Sequence, residues 1–438
     1  MVKKKRGYSI RSVAVEGFKS IRNKQTIGIR PLTLLAGANS SGKSSFLQPL
    51  LLLKQTLDAP YDPGALLLDG TNVRFTDVGQ LLWKPRVARN GASHFSVGLD
   101  VTTERAEVTF AKGTKGAEVV RTNYRVVDHK GKEQEVSLWP GMSKTDFDDQ
   151  NPSLSYVPEY EKIAFREVKR MKCLLQTVLT RTIGSFILEE TWPYTMDVVR
   201  FLTEIVHLPG LRGNPRRTYQ YSAAGPQFPG VFNDYVAGVI SSWKSTDKEK
   251  LERLGNDLRH LGLTWKAEAT AIDDTQVELK VGRLRTPARG GARDLVSIAD
   301  VGFGVSQTLP VLVSLLVANP GQMVYLEQPE IHLHPNAQLA MADLLSAAAK
   351  RGVVVVAETH SQFLLWGIQR LVAEGKLDPN LVQLHWFSRD SDGATEVTSR
   401  GICDNGDFGD WPEDFSDAAL TAQDGLLRAM VRSEKKSR

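Results

Sequence analysis

Eight consecutive residues, Gly37-Ala38-Asn39-Ser40-Ser41-Gly42-Lys43-Ser44, follow the spacing GxxxxGK[ST]. Glycines in such a loop let backbone N–H groups turn inward around an anion, and the helix that follows adds the positive end of its dipole. In this pattern Gly37, Asn39, Ser40, Ser41, Gly42 and Ser45 form the cradle. Lys43 reaches the β- and γ-phosphates, and the Ser44 hydroxyl ligates Mg²⁺. The chemistry implied is capture of a nucleoside triphosphate together with its magnesium ion.

A second group of chemical residues lies far downstream. Glu327-Gln328-Pro329-Glu330 follows the mainly apolar run Gln322 to Leu326, and Glu358-Thr359-His360-Ser361 follows Val353 to Ala357. Open α/β sheets bind ligands at the carboxyl ends of their strands, so an acidic residue there suits a hydrated Mg²⁺. Between the two groups, Asp300 to Pro310 reads as a glycine-rich loop (Gly302, Gly304, Ser306, Gln307) entering an apolar helix. Pro310 is expected near the first turn of that helix.

These residues need a scaffold, and the chain supplies one. Ile10 to Val15 and Thr26 to Ile29 alternate as a hairpin does, Leu32 to Ala36 is an apolar strand, and Ser45 to Leu57 is helical. Gln338 to Ala349 and Gln362 to Leu371 bound the downstream strands as helices, a β-α-β rhythm that predicts a parallel sheet. Phe95 to Leu138 alternates as antiparallel strands, and Ile272 to Leu284 returns to strand. Helical periodicity dominates Tyr156 to Val206 and Val231 to Leu261, without the sustained heptads of a coiled-coil arm. His332 and His334 in His-Leu-His-Pro read as a structural turn rather than a metal pair.

The order of these motifs resembles the ABC-type ATPases of the SMC, RecF and OLD kind, and Val15 to Ile21 (VEGFKSI) is similar to their first hairpin. A closer resemblance is to a prokaryotic group of AAA/ABC-like ATPases ending in a small domain of unknown function. It is carried by Leu34 to Gln55, Val301 to Pro310, YLEQPEIHLHP at Tyr325 to Pro335 and FGDWPEDF at Phe408 to Phe415, with HLPGLRGNPRRTY at His207 to Tyr219 as a looser fifth stretch. The resemblance implies an α/β fold: an ABC-type head with a mixed sheet, an antiparallel β subdomain and a helical insertion. Its parts would be 1–95 and 291–390 for the two halves of the head, 96–140 for the β subdomain, 141–290 for a mainly helical insertion, and 391–438 for an extension.

The resemblance also implies roles. Two heads would meet head to tail, with Gly304, Ser306 and Gln307 of one closing over the γ-phosphate held by the other. Glu327 matches the Walker B acid, His360 the switch histidine, and Gln80 the metal-facing Q-loop glutamine. Most relatives follow the Walker B acid with a glutamate that activates water, and here that slot holds Gln328. An amide orients water but accepts no proton, so slow hydrolysis is expected, with Glu330 as the candidate substitute base.

Composition narrows the classes. The chain has 438 residues, 41% hydrophobic and 24% charged, the balance of a soluble protein of two or three domains. No run of about 18 apolar residues exists and no apolar segment follows Lys3-Lys4-Lys5-Arg6, which argues against a membrane span or secretory signal. Two distant cysteines, Cys173 and Cys403, suit a reducing cytoplasm. The net charge is +5, of which that basic tail supplies four, so any DNA contact must be local. Arg212, Arg216 and Arg217 with Tyr219, and Lys280, Arg283, Arg285, Arg289 and Arg293, are the candidates, with solvated loops as the alternative. Phe408 to Phe415 reads as an aromatic cap, with a docking epitope as the other possibility, and the stretch after His360 is short for an appended nuclease. The leading expectation is a dimeric ATP-gated switch with an effector partner, a nuclease or toxin, in antiviral or mobile-element defence. The alternative is a RecF-like DNA repair clamp. A transporter subunit is disfavoured, because no LSGGQ occurs and Lys43 and Ser306 stand more than half the chain apart.

Overall fold

The computed structural model describes residues 10–85, 91–102, 104–127, 133–151, 163–183, 186–192, 194–221, 225, 227–286 and 294–409. The first half runs β1 (Ile10–Glu16), β2 (Gln25–Gly28), β3 (Leu32–Gly37), α1 (Lys43–Asp58), β4 (His94–Val101), β5 (Glu104–Gly113), β6 (Gly116–Val127) and β7 (Glu133–Leu138). Next come α2 (Lys144–Gln150), β8 (Ile163–Met171), β9 (Leu174–Ile183), β10 (Phe186–Trp192), α3 (Met196–Thr203), β11 (Val206–Leu208) and β12 (Thr218–Gln220). Then follow α4 (Val236–Thr246), α5 (Lys248–His260), β13 (Ala267–Ala271), β14 (Gln276–Gly282), β15 (Leu295–Ser297) and α6 (Phe303–Val317). The last part is β16 (Met323–Glu327), α7 (Pro335–Lys350), β17 (Val354–Glu358), α8 (Gln362–Ala373), β18 (Val382–Arg389) and β19 (Thr395–Arg400).

The site rests on one six-stranded sheet in the order β11-β16-β17-β3-β18-β19, parallel except for the β18–β19 edge pair. Its inner strands are near-continuous apolar runs because both faces are covered. Successive residues serve opposite cores: Leu34, Val324 and Val355 join one cluster with α4 to α8, whereas Leu35, Tyr325 and Val356 join another with α1, α3 and the antiparallel strands. That second layer is the sheet β2-β1-β4-β5-β6-β7, as the alternation of Phe95 to Leu138 requires.

Two expectations need correction. Within Tyr156 to Val206, Ile163–Met171, Leu174–Ile183 and Phe186–Trp192 form the antiparallel sheet β10-β9-β8 rather than helix, so the 141–290 segment is helical chiefly at α4 and α5 among the described residues. Leucines at 174, 175, 179 and 188 imitate a helical stripe, but Val168, Thr177, Val178, Thr180 and Thr191 carry β-branched chains that favour a pleated surface. Lys172, at φ 52, makes the tight β8–β9 turn. Helix α6 already begins at Phe303, which puts Pro310 in its interior and removes a hydrogen bond there.

The longest described helices, α1 and α7, have 16 residues each. No described helix is long and apolar enough to cross a membrane. The Lys3 to Arg6 tail, Arg289, Arg293 and Asp410 to Phe415 of the aromatic motif lie outside the described residues, while Phe408 is buried in the core around α8.

His385 on β18 ties the central sheet to the first hairpin. Its Nε2 faces the Gly28 carbonyl at 2.8 Å and its Nδ1 the Ser399 hydroxyl at 2.8 Å. Burial pushes its pKa down to about 4, the Gly28 carbonyl opposing and Arg30 assisting. A depressed histidine is stabilising above its unfolded pKa, and that contribution is lost as pH falls from about 6.5 towards 4. Urea unfolding at pH 7 and pH 4.5 should therefore show the stability advantage of wild type over His385→Gln shrinking by about 2–3 kcal/mol at the lower pH.

Candidate functional site

The buried strand β3 delivers the phosphate loop, and two glycines shape it. Gly37 has φ 141, and a Cβ there would lie 2.2 Å from the Phe387 carbonyl oxygen. Gly42 has φ 107, and its Cβ would meet Thr395 Oγ1 at 2.3 Å. Neither position accepts a side chain. The loop is held from outside: Arg389 donates from Nε and its guanidinium to the Ser40 carbonyl at 2.8 and 2.5 Å, and Thr395 Oγ1 donates to the Ser41 carbonyl at 2.8 Å. Asn39 stands exposed at the tip, and the buried Ser41 hydroxyl has no partner.

Helix α1 starts at Lys43 with no side-chain cap and no acid in its first turn, so its N-terminal N–H groups face the loop. Lys43 Nζ folds back onto the carbonyls of Gly37 and Ala38 at 2.9 and 2.8 Å. Burial lowers its pKa to about 8, against the opposing charges of Glu358 and Glu330. An open cradle, a cation occupied only with loop carbonyls and an orphaned hydroxyl fit a polyphosphate.

Three acids gather at the strand ends. Glu358 is 3% exposed and accepts the Ser44 hydroxyl at 2.7 Å through Oε2 and the Tyr325 hydroxyl through Oε1. Burial, reinforced by the Glu327 charge, pushes its pKa up to about 7 despite those hydrogen bonds and Lys43. Glu327 turns the other way, accepting from His207 Nε2 at 3.1 Å and Gly210 N–H at 3.0 Å. Burial works to raise its pKa, but His207, Gly210 and the Arg212 charge together hold it below the ordinary value. Asn72 donates to His207 Nδ1 at 3.1 Å, which leaves the proton on Nε2 for Glu327.

Glu330 accepts from Thr359 Oγ1 at 2.8 Å and His360 N–H at 3.0 Å through Oε1, while its buried Oε2 has no partner. Burial raises its pKa. His360 projects outward, its pKa lowered by partial burial and by Lys43. Gln328 sits at φ 47 with its N–H on the Glu358 carbonyl at 2.9 Å and its side chain beside Gly210.

Arg212 is the hidden member of this site. It is 9% exposed and donates to the carbonyls of Gln307 at 3.1 Å, Glu327 at 2.8 Å and Gln328 at 3.2 Å, joining the start of α6 to the end of β16. Burial brings its pKa down to about 10, opposed by Glu330 and Glu327. It is thus an interior residue rather than a surface phosphate binder, and Arg217 is likewise engaged, in a two-bond pair with Asp300 at 3.0 and 2.7 Å.

Several expected ligands have other partners. Ser306, 7% exposed, donates to the Phe303 carbonyl at 3.3 Å and lines a cleft of about 350 Å³ with Arg212, Tyr219 and Asn233. The Gln307 amide donates to the Gly213 carbonyl at 2.8 Å. Gly302 and Phe303 are the exposed residues at this end of α6, with Gly304 partly covered. Gln80 bonds both the N–H and the hydroxyl of Thr76, although it shares a cavity of about 360 Å³ with Ser45 and Arg389. His334 caps α7, its Nδ1 accepting from Asn336 N–H at 3.4 Å, as the turn reading expects.

The sequence reading passed over Glu358, Tyr325 and His207 as site residues. Glu358 carried a usable signal, being an acid at a parallel strand end as Glu327 is. The Tyr325–Glu358 contact needs β16 beside β17, and the His207–Glu327 contact needs β11 beside β16.

Residues 283–365 match a family described as "AAA domain, putative AbiEii toxin, Type IV TA system". The match spans Ser306, Glu327 and His360 and excludes the phosphate loop. Comparison with curated proteins finds no match. Among solved structures, the chain is similar to an Smc head bound to the C-terminal winged-helix domain of ScpA, at 13% identity over 90% of this chain and 98% of that one, with a TM-score of 0.45. It is similar also to an SMC head domain from Thermotoga maritima, at 12% identity over 89% and 98%, with a TM-score of 0.36. A third is an Smc head with an extended coiled coil bound to the C-terminal domain of ScpA, derived from Pyrococcus furiosus, at 12% identity over 98% and 100%, TM-score 0.42.

Removing Arg212 takes a hydrogen bond from each of three carbonyls and empties a largely buried side-chain site. Arg212→Ala should cost about 3 kcal/mol or more in urea unfolding, whereas the exposed neighbour Arg216→Ala should stay within about 0.5 kcal/mol of wild type.

Proposed function

We propose that the chain is an ATP-binding, slowly hydrolysing ATPase that works as a nucleotide-gated switch between paired copies. The observation that carries this reading is the meeting of an open glycine cradle, Lys43 and Ser44 with two buried carboxylates, Glu358 and Glu330, and the half-buried Glu327. Gly37 to Ser45 would hold the triphosphate. Ser44 and Glu358 would hold Mg²⁺, which when bound shields phosphate charge and favours attack at the γ-phosphate.

Gln328 lacks the basicity to take a proton from water. Glu330 is better suited, because its raised pKa and free Oε2 belong to a carboxylate able to accept one. His360, held by its N–H to Glu330, would face the γ-phosphate. The exposed N-terminus of α6 would offer backbone N–H groups to the nucleotide of a second copy, in the place expected of the Ser306 hydroxyl. Slow turnover suits a state that persists and reports, read by an effector protein in antiviral or mobile-element defence, with cytoplasmic residence.

Turnover and binding measured separately test this. Lys43→Ala should abolish ATP binding. Glu330→Gln should lower kcat by on the order of 100-fold with KM within about threefold, the signature of a lost base. Unchanged turnover in Glu330→Gln removes that residue from the scheme, and unchanged ATP affinity in Lys43→Ala removes the scheme itself.

A further inference from the structure

The acid that touches the phosphate-loop hydroxyl is not the one at the Walker B position. Strands β16, β17 and β3 are in register, with Glu327 opposite Glu358 and Glu358 opposite Leu35. At about 4.8 Å between neighbouring strands, Glu327 begins roughly 10 Å from the loop strand, and β17 lies between them. Both Glu327 oxygens are already taken by His207 and Gly210, whereas Glu358 presents Oε2 directly to Ser44 at 2.7 Å. Tyr325 fixes the other Glu358 oxygen, and the buried, unpartnered Glu330 Oε2 adds negative character to the same recess.

We infer that Glu358 is a cation-dependent latch on the phosphate loop, a positioning residue that makes nucleotide capture conditional on a divalent ion. The inference rests on the ATP-binding reading above. Without the ion, Ser44 gives its hydrogen bond to Glu358, and an incoming triphosphate meets a buried negative charge. With the ion present, Glu358 becomes a counter-charge to it, directly or through a coordinated water, and Ser44 is free to turn its oxygen to the metal. Metal-free ATP is therefore rejected by the protein itself, and the rejection belongs to Glu358 more than to Glu327.

The test is equilibrium binding of ATP, in competition with a fluorescent ATP analogue, in excess Mg²⁺ and in EDTA. It uses wild type, Glu358→Gln, Glu358→Ala and Glu327→Gln, each checked for cooperative thermal unfolding. Wild type should bind at least about 30-fold more tightly with Mg²⁺, and the Glu358 variants at most about fivefold more tightly, with the change coming from stronger binding in EDTA. Glu327→Gln should keep the larger part of the wild-type ratio. Either folded Glu358 variant is diagnostic: a Mg²⁺ ratio equal to wild type overturns the latch while leaving ATP binding intact. A ratio lost in Glu327→Gln but kept in the Glu358 variants overturns it too, by moving the role to Glu327. Wild type that binds no ATP even with Mg²⁺ overturns the ATP-binding reading and the latch with it.

Discussion

The site depends on the register of three parallel strands. Because Leu35, Glu358 and Glu327 lie level across β3, β17 and β16, the phosphate loop and two strand-end acids emerge at one height. A slip of one residue would exchange the two faces of a strand, sending Glu358 away from Ser44 and Tyr325 out of its core. The alternating burial of Met323 to Leu326 and Val354 to Ala357 into two separate cores fixes that register. The apolar layers thereby determine where the charges stand.

Those groups form a frustrated set. Glu327, Glu330 and Glu358 share a poorly hydrated volume with Lys43, Arg212 and His207, and no acid is paired with Lys43 by a direct hydrogen bond. Lysine satisfies loop carbonyls instead, and burial raises the pKa of Glu358 to about 7. A phosphate chain with its cation would supply both the anion that Lys43 lacks and the positive charge that the acids lack, so that on the proposed function binding and electrostatic relief would be one event.

The phosphate loop is legible in sequence because strand, loop and helix are contiguous and each local preference agrees with the fold. The acids at 327 and 330 are legible as strand-end residues, but their directions are not. The Ser44–Glu358 bond joins residues 314 positions apart, and the Asn72–His207–Glu327 chain needs three separate segments to meet. The signature-like stretch illustrates the opposite error. Residue type nominated Ser306 and Gln307, yet helix phase turns both inward to serve Phe303 and Gly213. In β8 to β10, an apparent helical periodicity gives way to β-branched residues whose pleated packing the backbone follows.

The position of β3 at the centre of its sheet bears on how the chain is made. Both of its neighbours, β17 and β18, are encoded far towards the C-terminus, so the apolar residues Leu32 to Ala36 leave the ribosome with no strand to pair with. Val355, the residue that will lie opposite Leu32, emerges roughly 15–65 s later at about 5–20 residues per second. During that interval β3 lacks its sheet neighbours, and the loop and its acids come level only once β17 has emerged and paired.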